Sequence, residues 1–178
     1  MSNLLANLFF ATVDGLYVGR LLDSGTLEVA TGSPVPVVQG DASAHDVTTV
    51  GNFVYASDEV RSLYGFRFDP ATETLIPVQS ALELDSFTVQ PLLTSDESGV
   101  VYARGQEMLY SYLVDQTTGE LTLGTSTGAD GSALPANLVY EPDGNGFGYL
   151  FDVDFNGNAY ENNQYRVTSL TLTPNSTS

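Results

Sequence analysis

The chain has 178 residues, 42% of them hydrophobic and including ten Tyr and nine Phe, enough for one domain with its own core and too apolar for a disordered chain. It contains no Cys, which excludes disulfides, thiolate zinc sites and a cysteine nucleophile. Five Arg, no Lys and 22 Asp plus Glu leave a net charge of −17, which excludes nucleic acid as a partner because the surface repels phosphate backbones.

That charge also sets an expected environment. Self-repulsion opposes compaction unless salt screens it, and the Debye length falls to about 3 Å near 1 M. A Lys-free, acidic composition therefore fits either an extracellular or cell-surface protein or the cytoplasm of a halophile. The apolar stretch Leu4–Ala11 has no basic flank and is too short to span a bilayer, so no membrane insertion is expected.

Along the chain the same unit recurs four times. An aromatic-rich strand (Leu8–Thr12, Phe53–Ser57, Val100–Arg104, Tyr149–Val153) is followed by a polar turn and a second strand of period two (Leu16–Leu22, Leu63–Phe68, Leu109–Val114, Tyr165–Leu172). Acidic turns come next at Asp23–Thr26, Asp69–Thr72 and Asp115–Gly119, each opening on an Asp whose carboxylate can accept backbone N–H groups two residues on. Third strands follow at Thr26–Ala30, Thr74–Val78 and Glu120–Gly124. The matching aromatics Phe10, Tyr55, Tyr102 and Phe151 are 45, 47 and 49 residues apart, the length of one four-stranded propeller blade. No segment carries a helical stripe, so the expected fold is all-β: a β-propeller-like array of about four antiparallel blades in one domain over 1–172, with repeats at 1–39, 40–84, 85–130 and 131–172 and a polar tail at 173–178.

The turns Asp69–Leu75 and Asp115–Leu121 resemble the Asp-x-x-Thr-Gly-x-Leu turns of the lactonase-type, or YVTN-type, β-propeller repeats. Gly32–Pro36 resembles the linker after the outer strand in that family, and Ala42–Val47 leading to Gly51–Tyr55 is similar to its Pro-x-His … Gly-x-Phe-Leu-Tyr-Val stretch. Leu134–Gly144 repeats that stretch without the His. The resemblance covers most of the chain, but members with lactonase activity have more blades and roughly twice this length. Counting strands as three, four, four and three, the chain starts on what would be the second strand of a blade. Such an array either closes as a small propeller or forms a part-ring completed by another chain, because open sheet edges pair with other chains.

Two candidate sites follow. His45 is the only histidine, and the resemblance implies that it sits on an inner strand facing the central channel, where it could act as a general base. Adjacent residues on a strand point to opposite faces, which weakens any pairing with Asp46. Asp152, Asp154, Asn156 and Asn158 match the opening of a calcium loop, with Gly157 at the bend, although the bidentate acid expected at its end is replaced by Asn163. The same residues also suit an Asn-Gly hairpin turn with acidic shoulders. Calcium is the only cofactor these patterns suggest.

The sparse catalytic residues favour a non-enzymatic structural or interaction module, self-assembling or binding another protein through exposed strand edges. The alternatives are a lactonase-like hydrolase or small-ligand binder using the channel around His45, and a calcium-dependent adhesion module.

Overall fold

The computed structural model describes residues 3–37, 43–84, 90–96, 98–129, 134–145, 148–155, 160–168 and 171–174. Among them there is no helix, and therefore none long and apolar enough to cross a membrane. The chain folds into four separate antiparallel sheets laid out in sequence order.

The first sheet holds β1 (Leu4–Thr12), β2 (Gly15–Leu22) and β3 (Leu27–Val29). The second holds β4 (Ala44–Val50), β5 (Phe53–Asp58), β6 (Ser62–Asp69) and β7 (Thr74–Pro77), with the short β8 (Leu82–Glu83) also pairing with β6. The third runs through β9 (Leu92–Ser95), β10 (Val100–Arg104), β11 (Met108–Val114) and β12 (Leu121–Gly128). The fourth comprises β13 (Leu134–Pro142), β14 (Gly148–Phe155), β15 (Tyr160–Thr168) and β16 (Thr171–Pro174).

Period-two alternation in the strands gives each inner sheet two apolar faces, so neighbouring sheets stack through them. Leu16 and Val18 of the first sheet pack with Val54, Ala56 and Phe66 of the second. Tyr55 and Leu63 on its other face pack with Val101, Ala103 and Tyr112 of the third. Val100, Tyr102 and Leu109 then meet Leu138, Leu150 and Tyr165 of the fourth. There is one buried cluster at each of the three seams, so the core is distributed between sheets rather than held at one centre.

The first strands of the sheets line up along the seams: β1 runs beside β4, β4 beside β9, and β9 beside β13. No seam of that kind joins β13 back to β1 among the described residues, so the sheets form an open succession. The first sheet has the three strands counted in the sequence, and the last has four rather than three.

The acidic turns do what their Asp residues suggest. The Asp115 carboxylate accepts N–H bonds from Thr117 (2.7 Å) and Thr118 (2.9 Å), and Asp69 accepts from the Ala71 N–H and the Thr72 hydroxyl, both at 2.9 Å. These donors favour the ionised form and hold both carboxyls below the ordinary aspartate value.

Candidate functional site at the leading strands

Several polar groups that bridge the sheets lie at one end of the leading strands. Ala44 pairs with Asp58 and Asp46 with Ser57, so His45 is the extra residue of a β-bulge with no opposite number on β5. The side chain is half-buried. A bulge breaks strict alternation and re-aims the inserted side chain, which relaxes the opposite-face argument that separated His45 from Asp46 in the sequence.

Asp46 ties the second sheet to the third. Its carboxylate accepts the N–H of Val47 at 2.8 Å and, across the seam, the N–H of Leu93 at 2.8 Å. Its own N–H donates to the Ser57 hydroxyl (3.2 Å), which donates onward to the Pro91 carbonyl (2.6 Å). Burial pushes the Asp46 carboxyl above the ordinary aspartate range, and the two N–H bonds and the charge of His45 pull partly the other way.

Arg104 closes the same end. It pairs in register with Leu92 at the start of β9, and its Nε donates to Asp152 on β14 at 2.7 Å, with both side chains fully buried. Nη1 of Arg104 also donates to the carbonyls of Gly105 and Gln106. Of the four residues expected at a calcium loop, Asp152 is therefore engaged by an arginine, Asp154 lies on β14, and Asn156 and Asn158 fall outside the described residues. No group of three or more His, Asp or Glu side chains is arranged to hold a metal among the described residues.

A hollow of about 360 Å³ opens between β1 and β4, lined by Asn7, Leu8, Phe9, Val47, Thr48 and Thr49, two residues along β4 from the bulge. Asn7 also lines a neighbouring hollow of about 290 Å³ beside Asn52 and Pro70. Its Oδ1 is buried and accepts no hydrogen bond among the described residues. Neither Asn7 nor Arg104 stands out in the sequence. Asn7 sits inside an apolar run, and Arg104 ends a strand whose partner is 48 residues away.

No protein-family model matches the chain, and no curated protein matches its sequence. Solved structures do match its fold. A protein from Bacteroides uniformis described as a "putative 6-phosphogluconolactonase" shares 17% identity at a TM-score of 0.67, over 94% of this chain and 52% of its own. A protein of the same description from Bacteroides fragilis gives 15% and 0.66, over 98% and 52%. A protein from Lactobacillus plantarum gives 18% and 0.69, over 93% and 52%. The chain thus spans about half the length of these structures. The expectation of a non-enzymatic module, drawn from the sparse catalytic residues, is overturned here, because the fold recurs within chains described as "putative 6-phosphogluconolactonase".

Proposed function

We propose that the chain is a lactonase-like hydrolase that opens a small, neutral, hydroxylated lactone in the hollow between β1 and β4. The observation that carries this reading is the fold shared with the two proteins described as "putative 6-phosphogluconolactonase", taken with a bulge that carries His45 and Asp46 two residues along β4 from that hollow. His45 takes a proton from water as the water oxygen attacks the lactone carbonyl carbon. The tetrahedral oxyanion collapses, the ring C–O bond breaks, and the proton returns to the departing ring oxygen as a hydroxyl. Asp46, the next residue on β4, carries the charge complementary to the imidazolium, and Asn7 on the wall of the hollow contacts the substrate. A neutral lactone suits a chain of net charge −17 better than a phosphorylated one, which this field would repel.

The test is ring opening of a neutral sugar lactone followed by acid release, with the spontaneous rate subtracted. His45→Ala is expected to lower kcat/KM by roughly 10²–10⁴-fold with the fold intact, the usual range for losing a general base. Asn7→Ala is expected to raise KM and leave kcat nearly unchanged. A wild-type rate equal to the spontaneous one sinks the reading.

A further inference from the structure

The two end sheets each turn one face away from the rest of the molecule. On the first sheet that face carries Phe10 opposite Tyr17 and Val29 opposite Gly19. The Phe10 ring and Leu27 lie over Gly19, where a Cβ would collide with both, and this leaves an apolar hollow of about 330 Å³ lined by Phe10, Tyr17, Leu27 and Val29. Leu27 and Val29 are 52% and 60% exposed. On the fourth sheet the outward face carries Val139 opposite Phe151, both 38% exposed, and Tyr149 beside them. The repeat partners of Phe151 on the inner sheets, Tyr55 and Tyr102, are fully buried by the sheet that follows them.

We infer that a second copy of the chain covers both faces, the fourth sheet of each copy stacking on the first sheet of the other to close a two-copy ring of eight sheets. Two observations select this occupant. The three internal seams show how one sheet of this chain receives the next, and a second copy presents both halves of that seam at once. The faces are also where a like-charged partner can approach: Phe10, Tyr17, Gly19, Leu27 and Val29 carry no charge, and Glu141 on the fourth sheet is offset by Arg166, which shares its face. Each contact joins unlike faces, and a twofold arrangement of two such contacts closes without free ends. Because both copies are strongly acidic, salt strengthens the pair.

Light scattering during size-exclusion chromatography tests this in low and near-molar salt. Wild type is expected at twice 19.0 kDa, more completely so in high salt. Phe10→Glu and Phe151→Arg should each run as folded monomers, with thermal melts checking the fold, since either change spoils both contacts of a like pair. Mixing the two variants should restore a dimer, because one of its contacts is then wild type and the other pairs Glu with Arg. A wild type that stays at the single-chain mass in all salts overturns the inference. So does a Phe151→Arg variant that remains dimeric alone, which would mean that first sheets pair with each other. Masses climbing past two copies would mean that the contacts do not close. None of these readouts involves turnover, so the outcome is independent of the hydrolase reading.

Discussion

Two turns with the same frame do opposite work at neighbouring seams. In the third sheet, Asp115–Leu121 places Gly119 at φ 80°, with the Phe53 ring of the second sheet where a Cβ would stand, and the Gly119 carbonyl accepts the Tyr55 hydroxyl at 2.8 Å. In the second sheet, Asp69–Leu75 puts Glu73 at the matching position with φ 57°, a conformation that side chains avoid. Glu73 instead reaches back to the first sheet, where its carboxylate pairs with Arg20 Nε at 2.9 Å. One turn docks by having no side chain and the other by tolerating strain in order to have one. The frame Asp-x-x-Thr shapes the turn, and the next residue decides whether the seam is apolar or ionic.

The third seam supplies the extreme ionic case and the largest expected effect. Arg104→Met removes the cation from a fully buried Asp152 carboxylate, and should destabilise the protein by about 3–5 kcal/mol. Adding Asp152→Leu should recover most of that loss, because a buried pair replaced by apolar groups is often neutral. Equilibrium urea unfolding of both variants checks this, and a single variant as stable as wild type would show that the seam does not depend on the pair.

Gly119→Ala comes second. Forcing a side chain into the left-handed region costs about 1–3 kcal/mol, and the displaced Phe53 ring adds to that loss. The melting temperature should fall by several degrees, and a shift within error would mean that the second and third sheets can separate at this turn without penalty. The smallest effect should come from Glu73→Gly. Relief of backbone strain, worth about 1 kcal/mol, opposes the loss of a partly exposed ion pair worth about 0–1 kcal/mol. The variant should therefore lie within about 1 kcal/mol of wild type and melt less salt-dependently, whereas a large loss would show that the ionic seam carries as much as the apolar one.

The contrast also marks what could be seen in the chain alone. The repeat spacing of Phe10, Tyr55, Tyr102 and Phe151 and the Asp-led turns are local patterns, and they led to four antiparallel sheets. His45 was visible as the lone histidine, but the bulge that re-aims it is a matter of register with β5 and leaves no local mark. Arg104 with Asp152 and Asp46 with Leu93 arise between sheets, 40 or more residues apart in sequence.

The bulge at His45 is not alone. β1 skips register between Leu4 and Ala6, and β13 between Pro135 and Asn137, so Leu5, His45 and Ala136 are inserted at the same end of three leading strands. The fold therefore carries a set of interchangeable sockets: a residue there opposes no partner across the ladder, so its identity can change with little disturbance to pairing. One socket holds an imidazole and two hold aliphatic groups. A protein of this kind can acquire or lose chemistry at that rim by single substitutions while its sheets stay as they are.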